Sequence, residues 1–220
     1  MSKYKYIYLY WIGIYTYNPL YLYVIVYYDN IYLYIYHIYR YLHELRVNIN
    51  TNTTSIHSVN NTQNVEFPRV HPLYIGRPTQ YGFISEMEYP SHKKDILGVF
   101  TRILKIDLFR KVVVGSIVLP EGCTTQEVIP VPRPLSGSGT GSVESGSGSD
   151  GSDNVYLVGF VFNDYTNIGE LHVYDGYTMS QEPVTVLTVP GVRVPYGFHS
   201  EWLSEDQLQR HLAQAVVGDE

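Results

Sequence analysis

Beyond Asn64 the chain is a succession of short runs in which apolar and polar residues alternate, each closed by turn residues, and that pattern points to antiparallel β-structure. Between Arg102 and Phe109, Leu104, Ile106 and Leu108 alternate with Lys105 and Asp107. A period of two puts these sets on opposite faces of an extended strand, so the run predicts a half-buried one. Further strands are predicted over 112–119, 155–162, 170–174 and 184–189. Pro120-Glu121-Gly122, Asn163-Asp164 and Asp175-Gly176 interrupt them. Proline fixes φ, glycine admits positive φ, and Asn and Asp side chains bond their own backbone, so these are turn sequences. Short strands at near-regular spacing imply an all-β sandwich, barrel or propeller. Helix is expected only near the end, where Ser204 is a candidate N-cap and Leu208, Leu212 and Ala215 form an apolar stripe.

Residues 1–63 have another texture. Of the 23 tyrosines, 15 lie between Tyr4 and Tyr41, in runs such as Tyr32-Leu33-Tyr34-Ile35-Tyr36. The alternation has strand period but both faces are apolar, and Tyr and Ile codons are easily drawn from an alternating A/T repeat. The segment reads as Tyr/Ile- then Asn/Thr-rich low complexity, with the domain entering at 64 and running to 220. Tyr6 to Tyr28 is uncharged and as long as the ~20 residues of a membrane helix. Its tyrosines and Asn18-Pro19 argue against one, and no cleavage site marks a secretory signal. Within the domain, Ser136 to Asp153 carries 13 Gly or Ser in 18 residues, the composition of a flexible insertion. Its Gly146-Ser147-Gly148-Ser149-Asp150-Gly151 matches a dinucleotide-binding pattern in form only, because a linker precedes it and a strand follows.

Net charge is −6 and unevenly spread. Up to Pro134 there are 13 basic and 9 acidic residues, and from Leu135 onward 2 and 12. No basic stripe tracks phosphates, so nucleic acid is excluded as an expected partner. Cys123 is the lone thiol. It makes neither an internal disulfide nor a Cys-based zinc site, which fits a reducing compartment and a cytoplasmic location.

His37, His43 and His57 sit in the low-complexity segment and read as incidental. His71 and His92 fall in polar, loop-like surroundings that suit surface or turn chemistry. His172 lies in a predicted strand, on the opposite face from Leu171 and Val173. No pair has helical zinc-site spacing, and no Gly-x-Ser-x-Gly elbow supports a serine hydrolase. His199 stands apart because it ends Arg193-Val194-Pro195-Tyr196-Gly197-Phe198-His199. Pro195 and Gly197 specify the backbone there, and metals need ligands held that way. On the residues alone, a structural histidine still outweighs a ligand by about two to one.

Three separated stretches reverse those odds. Glu66-Phe67-Pro68-Arg69 with Gly76-Arg77 and Tyr81, then Gln126 to Pro134, then Arg193 to His199, resemble in order the motifs of the carotenoid cleavage oxygenases, the carotenoid and lignostilbene dioxygenase family. The resemblance runs from about Glu66 to Trp202 and covers the C-terminal part of such a protein. It implies an all-β fold, the C-terminal part of a seven-bladed β-propeller, here incomplete. It further implies a non-haem Fe(2+) centre of four histidines that oxidatively cleaves a conjugated C=C bond of a carotenoid, apocarotenoid or stilbene. His199 would be the last iron ligand. Glu66 and Glu127 would accept the outward N–H of iron-bound histidines, Glu127 serving His199 and Glu66 a histidine not present here. Phe198 would line an apolar tunnel, though packing is the commoner role. The expected partners are an apolar polyene or stilbene and dioxygen, with peripheral membrane contact a further expectation.

The departures matter. The family's other three histidines precede the Glu-Phe-Pro-Arg segment, and nothing in residues 1–65 resembles their motifs. Ser200 and Val128 replace residues that are commonly glycine and proline there. An unfinished propeller exposes strand edges, so low stability, aggregation and no activity are expected of the chain alone. The alternatives are a non-catalytic β-rich interaction fragment and a membrane-anchored remnant.

Overall fold

The computed structural model describes residues 7–8, 13–14, 20–29, 38–48, 50–60, 62–89, 98–134, 150–188 and 199–210. The heptad up to Phe198, His37, His92, most of the Gly/Ser-rich insertion, and Leu212 and Ala215 lie outside them. Three antiparallel sheets follow in chain order. The first contains β1 (Ile7–Tyr8), β2 (Gly13–Ile14), β3 (Leu20–Asp29), β4 (Ile38–Asn48) and β5 (Thr53–Asn60), in the order β1-β3-β4-β5 with β2 also on β3. The second is a four-strand meander of β6 (Val65–Arg69), β7 (Tyr81–Glu88), β8 (Val99–Asp107) and β9 (Val112–Val118). The third contains β10 (Cys123–Thr124), β11 (Ile129–Pro132), β12 (Val155–Asn163), β13 (Ile168–Asp175) and β14 (Thr185–Thr188), with β10 and β11 both on β12.

The central strands β7 and β8 of the second sheet are covered on both faces over most of their length, which corrects the half-buried reading of β8, while the edge strand β9 stays largely exposed. Leu104, Ile106, Leu108 and Ile84 pack with Leu42 and Val59 of the first sheet. Ile103, Ile117 and Phe83 pack with Val155, Leu157, Val161 and Tyr174 of the third. The polar positions of β8 therefore face protein rather than water, and Lys105 and Asp107 are both buried. Lys105 Nζ donates to Asp153 Oδ2 at 2.6 Å and to the Tyr177 carbonyl at 3.0 Å, over the Tyr81 ring. Asp107 accepts from the Arg110 backbone at 2.8 Å. Burial of each large aliphatic in these layers contributes about 1.5–3 kcal/mol.

Packing reaches upstream of residue 64. Leu42 and Val59 are in the core, and Glu44, buried on β4, pairs with Lys111 Nζ at 2.7 Å across two sheets. Burial would raise the Glu44 carboxyl, but Lys111 and Arg46 outweigh it and hold the group below the usual carboxylate range. Leu20–Asp29, which overlaps the end of the uncharged stretch, is strand, and among the described residues no helix is long and apolar enough to cross a membrane. The end of the insertion is anchored rather than loose. Gly151, Ser152 and Asp153 are buried, Asp150 Oδ2 accepts from the Gln80 backbone at 2.8 Å, and Tyr81 N–H donates to Ser152 Oγ at 3.0 Å. A helical turn at 205–210 begins as expected, Gln207 N–H donating to Ser204 Oγ at 3.3 Å and Ser204 N–H to Gln207 Oε1 at 2.9 Å.

Candidate functional site

The site starts with an irregularity in β6. Glu66 pairs with Ser85 and Arg69 with Phe83, so β6 spends one residue more than β7 between those pairs. Phe67 takes φ +59°, and Pro68 has no N–H to give the ladder. A bulky residue with positive φ costs roughly 1–3 kcal/mol and persists only where its surroundings fix it. Here the Phe67 ring is buried against Phe100, centroids 5.1 Å apart, and a bulge of this kind re-aims the next side chain. The redirected side chain is Arg69.

Arg69 reaches Glu127, in the crossing from β10 to β11. That crossing is fixed by its neighbours: Thr125 N–H donates to the Phe100 carbonyl at 2.9 Å and Ser85 Oγ to the Gln126 carbonyl at 2.6 Å. Gly159 of β12 lies so close beneath it that an added Cβ would stand 2.8 Å from Val128 Cγ1. The Glu127 side chain is 4% exposed. Its Oε1 accepts from Arg69 Nε at 2.7 Å and lies 3.4 Å from His199 Nδ1, while Oε2 accepts from Ser200 N–H at 2.7 Å. The His199 contact is longer than a well-formed hydrogen bond. Burial alone would lower the Arg69 guanidinium, but Glu127 and Glu201 outweigh it and hold the group above its ordinary value.

The His199 side chain is 53% exposed and opens onto a cavity of about 180 Å³. Apolar Pro68, Val70, Pro72, Ile75, Ile129 and Pro130 line it, with Arg69, Glu127 and Glu201 as the charged groups. Phe67 meets His199 edge-on, centroids 6.0 Å apart. The structure thus brings two of the three residues singled out from sequence together. Glu66 lies buried on β6 and is not part of the cavity lining. Among the described residues no three His, Cys, Asp or Glu groups converge as a metal cage.

The other histidines have structural surroundings. His71 is buried, and its Nδ1 accepts from Leu73 N–H at 3.1 Å, capping the 3-10 turn Pro72–Tyr74 beside the cavity. Turn chemistry was the expectation, but a buried ring was not. His43 is buried on β4, and His57, exposed on β5, bonds Ser55 at 3.0 Å. His172 stands between Glu170 and Tyr174 on one face of β13, 2.8 Å from Glu170 Oε2 and 2.9 Å from Tyr174 Oη. A carboxylate only accepts, so Nε2 donates to Glu170 and Nδ1 accepts from the phenol. Burial first, then the Cys123, Glu170 and Glu182 charges, push the Tyr174 phenol up to about 12. Sequence reasoning missed the Arg69 clasp. Its only signal was the place of Arg69 directly after Glu66-Phe67-Pro68.

Three antiparallel sheets and a buried carboxylate that faces an imidazole make this an all-β protein with a histidine poised at a largely apolar cleft. The model of the retinal pigment epithelial membrane protein family, RPE65, matches residues 29–204, and the chain belongs to this family. Carotenoid 9,10(9',10')-cleavage dioxygenase 1 of Pisum sativum is 34% identical over 167 residues, 76% of this chain and 29% of the relative. Carotenoid 9,10(9',10')-cleavage dioxygenase of Crocus sativus is 33% identical over 168 residues, again 76% and 29%. Cobalt-substituted Synechocystis ACO superposes with TM-score 0.68 at 19% identity, over 88% of this chain and 38% of that one. An ACO/RPE65 chimera gives 0.65 at 17%, over 85% and 37%. These structures bear on fold alone, and the chain spans about 29% of the length of the curated relatives it matches.

Proposed function

We propose that this chain is the C-terminal part of a seven-bladed, non-haem iron(II) dioxygenase that splits a conjugated C=C bond of a carotenoid, apocarotenoid or stilbene. Both atoms of one dioxygen go to the two alkene carbons, giving two carbonyl products. The observation that carries the reading is the pairing of His199 with the buried Glu127 at an apolar cleft. The donor set fits one position of an iron centre: with Nδ1 turned to a carboxylate, Nε2 is the nitrogen that would meet a metal, and the carboxylate fixes tautomer and raises basicity. Iron bound there would supply the site for dioxygen chemistry. This chain's own residues hold the buried carboxylate, orient the ring, and offer apolar side chains from Val70, Ile75 and Ile129 that suit a polyene. Glu66 would serve a histidine outside this chain in the same way. Nothing in residues 1–65 resembles the family's other ligand motifs, so the chain alone would be inactive.

The test uses the longest transcript that joins these codons to upstream exons. Its product, loaded with iron anaerobically and given an apocarotenoid, is expected to form two carbonyls labelled from ¹⁸O₂, and His199→Ala is expected to abolish both. Full activity in His199→Ala would remove the reading. A second reading, a non-catalytic β-rich fragment that pairs with another chain, draws on one observation: β14 is exposed throughout, with Val186 and Leu187 on it and Val184 beside it exposed as well. Concentration-dependent self-association abolished by Val186→Lys would favour it.

A further inference from the structure

We propose that Arg69 is a positioning residue for His199, acting through Glu127 and the Ser200 peptide; this rests on the reading of His199 as a ligand. Arg69 makes three contacts from one planar group. Nε donates to Glu127 Oε1 at 2.7 Å, Nη2 to the Ser200 carbonyl at 2.9 Å, and Nη1 lies 3.7 Å from Glu201 Oε2. Glu127 Oε2 accepts from Ser200 N–H at 2.7 Å. Both polar groups of Ser200 are therefore held by a single ion pair, in a closed circuit from Arg69 to Glu127 to Ser200 and back.

His199 is the next residue upstream, so its Cα is set by that circuit rather than by its own side chain, which is half exposed. A second consequence is electronic. Oε1 has two lone-pair directions, and the guanidinium occupies one at short range while Nδ1 of His199 takes the other at 3.4 Å. Arg69 thus fixes the plane of the carboxylate and tempers its pull on the imidazole. Lysine cannot replace it, because a point charge lacks the fork that spans carboxylate and carbonyl. The bulge at Phe67 and Pro68 exists in this account to deliver that fork, and its strain is spent on aim.

The experiment uses the 220-residue chain with ¹⁵N-labelled histidine at pH 8, where an ordinary imidazole is neutral. Long-range ¹H–¹⁵N spectra read the His199 tautomer, amide exchange reads Ser200, and Co(II) titration reads affinity at His199. His172, held on β13, reports that the fold persists. In Arg69→Gln the Nδ1–H tautomer is expected to give way to the mixture a solvated ring adopts. Ser200 exchange should quicken at least about tenfold and Co(II) affinity should fall about tenfold, the lower end for losing a group that orients a ligand. Arg69→Lys is expected to keep the tautomer but lose Ser200 protection. If Glu127→Ala moves these readouts and Arg69→Gln leaves them unchanged, Arg69 is not a positioning residue. If Glu127→Ala leaves them unchanged too, the reading of His199 falls with it.

Discussion

Removing the ammonium of Lys105 gives the most quantitative test of how the second sheet is tied to the segments that flank β12 and β13. Lys105 and Asp153 side chains are 7% and 3% exposed and meet at 2.6 Å. At an effective dielectric of 20 such a contact is worth roughly 6 kcal/mol of attraction, and much of that is offset by taking both charges out of water. Cutting one partner leaves the other charge buried, which costs about 3–5 kcal/mol. The two cuts are not equivalent. Asp153→Asn leaves Lys105 with the Tyr177 carbonyl at 3.0 Å and the Tyr81 ring 4.5 Å away, whereas Lys105→Met strips Asp153 of its cation. Lys105→Met is therefore expected to cost about 3–5 kcal/mol and Asp153→Asn about 1–3, with the double variant recovering part of the sum. Urea unfolding followed by circular dichroism measures this. Exchange at 150–153 should accelerate in step, since the same turn receives the Tyr74 hydroxyl at the Asp150 carbonyl, 2.5 Å away. Losses under about 1 kcal/mol for both single variants, the scale of an exposed pair, would refute the reasoning.

Gly159→Ala should push Val128 and the Glu127 crossing upward, because the new Cβ meets Val128 Cγ1 at 2.8 Å. Overpacking of this kind costs about 1–3 kcal/mol, and the His199 ¹⁵N shifts should move with the unfolding midpoint. For His71, burial lowers the imidazole below its usual value despite its backbone partner and Asp150. Its contribution to stability is therefore complete above the unfolded value near 6.5 and is lost as pH falls through the lower folded value. Unfolding midpoints taken from pH 7.5 down to 5 should decline in the native chain and decline less in His71→Gln.

β8, β9, β12, β13 and β14 were legible because their turns are written in Pro, Gly, Asn and Asp, and β12 and β13 lie within two residues of the predicted bounds, whereas no strand was read at β6, β7, β10 or β11. What a period of two does not reveal is how many faces are covered. Lys105 and Asp107 look like a solvent face in sequence, yet both are buried, Lys105 against Asp153 and Tyr177 and Asp107 against Gln80 and Arg110. Leu42 and Val59 escaped notice for the opposite reason: in a segment rich first in Tyr and Ile and then in Asn and Thr, no alternation marks which face enters a core. At the site, His199 was legible from the Pro195 and Gly197 turn that precedes it, and Glu127 from motif order. Arg69 was not, because its aim depends on a positive φ at Phe67 that phenylalanine does not advertise. The insertion was read as uniformly loose because Gly and Ser dominate it, yet Asp150, Ser152 and Asp153 find specific partners at its end.

The central claim is that His199 is one ligand of an iron centre whose remaining ligands this chain does not supply. An anaerobic ferrous titration of the 220-residue chain, with metal counted before and after desalting, tests it most directly. Weak, reversible binding is expected that broadens the His199 resonances, disappears in His199→Ala and leaves no stoichiometric iron after desalting. One iron retained per chain, or retention indifferent to His199→Ala, would contradict it.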